Sequence, residues 1–270
     1  MTGEPDSRKI VVTLDQMARG NSAVHLLEPR VKLVVTLLFL LCVLSFDKYA
    51  VSGLLPFFLF PLILVARAEL SSRWLLHRLL LLAPLPLLIG LFNPFLDTRP
   101  IPVTDSLTIG GGWLSLLSIG LRFLLAMSAI LVLTATTRLP DLGRAAERLG
   151  VPRIFVTQIL LLYRYLFVLV QEAEQMARAR NLRSFGRRGQ GWSIHARLVG
   201  HLLLRAMHRA ERVHQAMLCR GFHGSFPVAE ATRLQSGDWR FLIVWLLILS
   251  GLRFGQPVVP LGALILGHSP

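Results

Sequence analysis

The chain has 270 residues, of which 53 % are hydrophobic and only 16 % charged. A soluble domain carries about 25 % charged residues because its surface must be wetted, so the composition excludes an ordinary soluble globule and makes lipid the solvent for the surplus apolar surface. The charge is lopsided, 29 Lys and Arg against 15 Asp and Glu, which admits nucleic acid, anionic lipid or an acidic protein as partner until its placement is known.

The first apolar run opens only at Val31, behind a mixed-charge leader and with no small-residue cleavage site after it, so no cleavable signal peptide is expected. The run Val31 to Ala66 is broken at Asp47-Lys48 and reads as two spans joined by a tight turn. The first is short, and Arg30 and Lys32 are expected to snorkel. A third span is expected over Leu79 to Leu96 and a fourth over Trp113 to Thr137. A fifth runs from Trp239 to Leu252 and is interrupted at Gly255-Gln256-Pro257 before the apolar tail Val258 to Gly267. Pro56, Pro61, Pro84, Pro86 and Pro94 break or kink spans two and three. Arg8, Lys9, Arg19 and Arg30 in the leader, and Arg67, Arg73 and Arg78 after span two, put both segments in the cytoplasm. The loop Asp97 to Gly112, with Arg99 against two aspartates, faces outward. Arg122 falls within span four, where a charge is a functional candidate. Its structural alternative is pairing with helix-end carbonyls or with a polar group such as Asn93.

Between Arg138 and Arg240 the chain holds 17 arginines against 7 acids. One apolar stretch there, Ile154 to Val170, has the length of a span. Crossing would carry one of its basic flanks outside, and Tyr163-Arg164-Tyr165 sits in its middle, where an Arg costs at least about 2.5 kcal/mol. It reads as a cytoplasmic or interfacial helix running from about Ile154 to Arg180. The Gly-rich stretch Gly186 to Gly191 ends it, and no Gly-Lys-Ser/Thr follows to make a phosphate loop. Ser193 is the expected N-cap of a second helix that runs to Cys219-Arg220, with Gly221 at C′. On it Leu198, Leu202, Ala206, Ala210, Val213 and Met217 form one face, and Arg205, Arg209 and Arg212 lie off it. Arginine at a helix end is commonly a solvated cap that complements the macrodipole. Two such ends on paired helices point instead to docking, for which the planar guanidinium fork is suited. His195, His201, His208, His214 and His223 lack the i, i+4 spacing of a helical metal pair, and Cys42 and Cys219 make no disulfide framework.

Four stretches together resemble the CbiQ family, the T component of energy-coupling factor (ECF) transporters. Ser22-Ala23-Val24-His25-Leu26-Leu27-Glu28-Pro29-Arg30-Val31-Lys32-Leu33 is similar to the family's opening Ser-Pro-Leu-His…Leu-Asp-Pro-Arg-Val-Lys-Leu. Thr136-Thr137 closes span four, and Leu149-Gly150-Val151-Pro152-Arg153 follows in the expected place. Tyr163-Arg164-Tyr165 through Met176-Ala177-Arg178-Ala179-Arg180 resembles the first coupling helix, and Ala216-Met217-Leu218-Cys219-Arg220-Gly221-Phe222 the second. In the family both helices end in Ala-Arg-Gly-like triplets that dock on ATPase subunits. Here the triplets are Ala179-Arg180-Asn181 and Cys219-Arg220-Gly221, with only the arginine kept in both.

The resemblance implies an all-α membrane protein of about five transmembrane helices plus a cytoplasmic domain of two long packed coupling helices. Its expected parts are a leader over 1–30, four spans over 31–137, the coupling domain over 138–238 and a C-terminal membrane segment over 239–270. It implies a transporter subunit with no ATPase site and no cofactor of its own, in a bacterial inner membrane with its N-terminus in the cytoplasm. The expected partners are two ATP-binding CbiO-like ATPases, a CbiM-like substrate-binding membrane subunit, a small CbiN-like accessory subunit and membrane lipid, with no nucleic acid. Cobalt is the expected substrate, with nickel or a vitamin on the same scaffold as alternatives. A lipid-modifying membrane enzyme is the competing class, but Asp47, Asp97 and Asp105 stand isolated where it would need paired acids.

Overall fold

The computed structural model describes residues 17, 18, 20, 22–46, 51–93, 100–104, 107–183, 192–224 and 234–254. The expected turn at Asp47-Lys48, the loop residues Asp97, Arg99 and Asp105, the stretch Gly186 to Gly191, the tail Val258 to Gly267 and the leader basics Arg8, Lys9 and Arg19 lie outside them. The described residues fall into two compact units, one drawn from 14–138 and 232–270, the other from 139–231.

Proline and charge cut the apolar runs of the first unit into short helices. Helix α1 (Pro29–Leu44) starts on a proline, whose missing N–H and fixed φ suit the first helical position. The segment expected as span two is three consecutive pieces, α2 (Val51–Leu54), a 3-10 turn (Leu55–Phe58) containing Pro56, and α3 (Leu59–Arg67). The segment expected as span three holds α4 (Ser72–Leu82) and α5 (Pro84–Gly90), divided at Ala83 by Pro84. It starts seven residues earlier than Leu79, so Arg73 and Arg78 sit on the helix and not in a connecting loop. The expected outward loop contains an antiparallel pair, β1 (Pro100–Thr104) and β2 (Leu107–Gly110), with a register irregularity between Pro102 and Thr104. That pair is a departure from an all-α chain. Span four is α6 (Gly111–Thr136), and the unit closes with α10 (Ser236–Phe254). In the second unit α7 (Leu139–Arg148), α8 (Arg153–Arg183) and α9 (Trp192–Cys219) follow in order. Among the described residues α6 and α8 are long and apolar enough to cross a membrane.

The first unit buries one stripe of each helix and exposes leucine on the other. Val31, Val35, Phe39 and Val43 recur every four residues along α1 and meet Leu54, Phe57, Phe60 and Leu64, with Leu125, Ala129 and Val132 of α6 and Trp245 and Leu249 of α10. Phe39 stacks on Phe60 at 4.3 Å, and Trp245 stands edge-on to Phe60 at 4.7 Å. On the outer faces Leu41, Leu62, Leu80 and Leu247 are each more than 60 % exposed. Ser115, Ser118, Ser128 and Thr136 of α6 are buried instead. Small and hydroxylated residues inside with large apolar residues outside is the packing of helices in lipid, where close backbone approach replaces the hydrophobic drive.

Charged side chains join the helix ends. Asp238, 5 % exposed, is the third residue of α10 and accepts the N–H of Gln235 at its N-cap, as in a capping box. Its other oxygen accepts the N–H of Glu28, the N-cap of α1, at 2.9 Å. One carboxylate thus serves two helix N-termini. The Lys32 ammonium donates to the carbonyl of Thr136 at the end of α6, at 2.9 Å. This corrects the expectation of a snorkelling lysine: the last carbonyls of α6 require donors, and Lys32 turns inward to supply one. Arg30 pairs with Glu28 at 3.2 Å. At the far end of α1 Arg122 donates to the Phe46 carbonyl at 2.8 Å, and Arg253 to the Ser45 carbonyl at 3.1 Å. The start of the resemblance motif has its own lock. Ser22 Oγ bonds His25 Nδ1 at 2.7 Å, and His25 Nε2 bonds the Met17 carbonyl at 3.0 Å. Gly20 permits this, since a Cβ there would lie 2.7 Å from the imidazole.

Asp238→Ala should lower the stability of the detergent-solubilised protein by about 2–4 kcal/mol, since two bonds to a charged acceptor are lost and two N-cap donors are stranded. Asp238→Asn keeps one carbonyl oxygen and should fall between, an order that thermal unfolding monitored by circular dichroism checks.

Candidate functional site

In the second unit α7 ends at a glycine. Gly150, φ 104°, lets its own N–H reach the Glu147 carbonyl and the Val151 N–H the Ala146 carbonyl, both at 3.1 Å. Pro152 then forbids continuation, and α8 begins at Arg153, which pairs with Glu147 across the turn at 3.1 Å. Leu149-Gly150-Val151-Pro152-Arg153 is therefore a helix stop followed by a helix start. Helix α8 continues past Arg180 to Arg183, so the arginine of the first triplet lies within its last turn and not at its end.

Helix α9 closes as expected. Gly221, φ 77°, donates its N–H to the Leu218 carbonyl and Phe222 to that of Met217, each at 3.0 Å. Only glycine takes this left-handed conformation without steric cost. Arg220 sits exposed on the resulting corner, beside exposed Cys219. In the other triplet Ala179 and Asn181 are exposed, Arg180 is half-buried, and Arg180 and Asn181 both have partners.

The seam between α8 and α9 is fixed by a buried-side acid. Glu172 of α8, its side chain 14 % exposed, accepts Arg209 Nη2 at 2.9 Å on one oxygen and Arg205 Nη1 at 3.4 Å on the other. The two arginines are one helical turn apart, so a single carboxylate holds two rungs of α9. The half-buried face of α9 is Leu198, Leu202, Ala206, Arg209, Val213 and Met217. Arg209 thus takes the place expected for Ala210, which is exposed, because Glu172 draws the guanidinium into the seam. The Arg209 hydrogen bond, against the opposing effect of desolvation and with help from Arg205, holds the Glu172 carboxyl below its ordinary value of 4.5.

Apart from this seam the pair is open. No residue of α9 is buried among those described, and on α8 only Val156 and Thr157 are. Val199, Leu203, Met207 and Leu218 of α9 are each more than half exposed. His195, His201, His208, His214 and His223 all lie at the surface, and the described residues contain no cluster of His, Cys, Asp or Glu able to hold a metal.

Arg122 is half-buried and donates to the carbonyl of Phe46, the helix-end partner weighed from sequence. Asn93 bonds Ser115 Oγ instead, at 2.7 Å. Sequence reasoning passed over Glu172, Asp238 and Arg253. The signal for Asp238 was its place three residues after a helix N-cap. Glu172 offered none beyond being an acid on a helix rich in arginine.

The CbiQ family, described as cobalt transport protein, matches the chain over residues 20–230. The energy-coupling factor transporter transmembrane protein EcfT of Listeria innocua is 26 % identical over 259 residues, covering 87 % of this chain and 94 % of its own. An uncharacterised protein of Methanocaldococcus jannaschii is 24 % identical over 248 residues, 88 % of this chain and 84 % of that one. The cobalt transport protein CbiQ of Salmonella typhimurium is 28 % identical over 140 residues, 48 % of this chain and 62 % of the relative.

Glu172→Gln should loosen the α8–α9 seam at neutral pH. A carboxylate whose folded pKa is depressed adds stability above its unfolded value, and that stability is lost as pH falls through the folded value. The gap in melting temperature between wild type and Glu172→Gln should therefore be constant from pH 8 to about 5 and close below about 4. Melts across that range check the sign.

Proposed function

Because this chain belongs to the CbiQ family, the transmembrane T components of energy-coupling factor transporters, we propose that it couples ATP hydrolysis by partner ATPases to uptake of a transition-metal ion. It is a membrane transporter subunit and not an enzyme, and transporters of this type work with ATPases and a substrate-binding membrane subunit. The finer reading is that Arg180 and Arg220 each grip one of two CbiO-like ATPases, with Ala179, Asn181, Cys219 and Gly221 flanking the contacts. ATP is bound by those subunits, and this chain binds no cofactor.

The observation that carries the reading is the Glu172 crossing with an arginine-bearing arm beyond it on each helix. Arg180 lies about 12 Å along α8 from Glu172, and Arg220 about 16 Å along α9 from Arg209, at 1.5 Å per residue. A crossing pinned by two charge-assisted bonds moves both arms together, as transmission of ATPase closure to a membrane bundle requires. In this reading the coupling domain over 138–238 and the N-terminus are cytoplasmic, and α8 does not cross the bilayer. Arg164 within its apolar stretch favours that placement, at a crossing cost of at least about 2.5 kcal/mol.

Cobalt is the substrate we favour, since relatives in Salmonella typhimurium and Rhodobacter capsulatus are named cobalt transport proteins. The captured ion would be held by a CbiM-like subunit with a CbiN-like accessory, not by this chain. Nickel is the nearest alternative and a vitamin the next, on the same scaffold.

Co-expression with CbiO-like ATPases and a CbiM-like capture subunit tests the assignment. Arg180→Glu and Arg220→Glu should each cut ATPase recovery and cobalt uptake by tenfold or more, on the order of one lost charge-assisted contact turned repulsive. Full uptake by the double variant removes the docking role, and a co-purified vitamin-binding subunit replaces cobalt.

A further inference from the structure

We propose that the corner between α3 and α4 is a binding surface for the headgroup of an anionic phospholipid. The exposed face of α4 is Arg73, Leu76, His77 and Leu80, at i, i+3, i+4 and i+7, with Leu81 beside it. Leu79 is buried on the opposite side. Along this one face the chemistry changes from basic to apolar within about 10 Å. Leu76, Leu80 and Leu81 are 66 %, 72 % and 62 % exposed. Helix α3 approaches the same corner in the reverse sense, exposing Leu59, Leu62 and Ala66 and then Arg67.

Among the described residues no ion pair takes up Arg67 or Arg73. Glu69, exposed between them at φ 54°, pairs with neither. Arg78 lies over the Trp74 ring at 5.9 Å, an aromatic and a cation at the level where the face changes character. Two guanidiniums without an ion-pair partner among the described residues ask for an anion, and the leucine face running on from them asks for acyl chains. A phospholipid with net negative charge supplies both in one molecule, whereas a dissolved anion leaves the leucines uncovered. The inference rests on the chain being in a membrane and is independent of Arg180 and Arg220.

Native mass spectrometry of the full chain, equilibrated with equal amounts of phosphatidylglycerol and phosphatidylcholine of the same acyl composition, tests it. Phosphatidylglycerol should be retained in preference. The Arg67→Gln/Arg73→Gln variant should lose roughly thirtyfold of that preference, at about a factor of five per basic residue near the surface, while Arg67→Lys/Arg73→Lys keeps most of it. Circular dichroism that matches wild type certifies the fold of both variants. Equal retention of the two lipids by wild type overturns the proposal. So does unchanged preference in the folded glutamine variant, or displacement of phosphatidylglycerol by an excess of inorganic phosphate.

Discussion

A helix embedded in lipid leaves four N–H groups at one end and four carbonyls at the other with no water to turn to, and in this protein charged side chains from neighbouring helices, two of them buried and two half-buried, meet that demand. Asp238 bonds the N-cap amides of α1 and α10, Lys32 a terminal carbonyl of α6, and Arg122 and Arg253 the carbonyls of Phe46 and Ser45 just past the end of α1. The signs agree throughout with the helix macrodipole, acid at N-termini and base at C-termini. Each bond also sets a register. α1 and α10 share a carboxylate at their starts and an arginine contact at their ends, so they run parallel, and α6 runs against them. From Lys32 to Phe46 and from Thr136 back to Arg122 is the same number of residues, about 21 Å of helix. The two contacts therefore level α1 and α6 against each other. Arg122 is accordingly a rim residue of α1's far end, although it falls well inside the apolar run of its own helix.

The second unit follows a different economy. Its longest helices bury almost nothing, and the seam between them is held by one carboxylate shared between two arginines. Such a bond contributes little to stability at the surface, but it fixes where one rod crosses the other. Large apolar side chains left open on both rods are out of proportion to a free-standing domain, where patches of this kind mark contact surfaces. A pair of helices with a pinned crossing and open faces suits a part that works between other subunits, as in the function proposed for it.

Much of this was legible from residues. Gly221 announced its helix end because the left-handed conformation leaves few alternatives, and Gly150-Val151-Pro152, quoted from sequence only for the family resemblance, turns out to end a helix by the same means. The α9 stripe was legible to within one residue. What periodicity reports is which side of a helix faces inward, not which side chain from a distant helix arrives there. Hence periodicity alone sends Lys32 outward to water, whereas it reaches across to Thr136, 104 residues on, and puts Arg209 off the α9 stripe, whereas Glu172 holds it in the seam. Asp238 was missed for the same reason. Its local role as a cap is visible in the sequence, but the second amide it serves is 210 residues away. The strand pair at 100–110 carried two prolines and gave no alternation to read.

Length and hydropathy admit α8 as a membrane span, and those two properties alone do not distinguish a span from an apolar helix that faces partners. Its neighbour bears on the choice. Glu172 lies eight residues beyond Arg164 and is bonded to Arg205 and Arg209, so α8 carries α9 with it wherever it goes. Helix α9 bears Arg197, Arg205, Arg209, Glu211 and Arg212 in addition to five histidines in and just after it. Placing α8 across the bilayer would draw part of that charge toward hydrocarbon, where the acids of the two helices, Glu172, Glu174 and Glu211, are fewer than the arginines, and each uncompensated arginine near the midplane adds at least about 2.5 kcal/mol. Placing both helices at or outside the interface leaves the arginines hydrated and lets the apolar faces meet another subunit. The ion pair that couples the two rods thus ties the placement of one to that of the other.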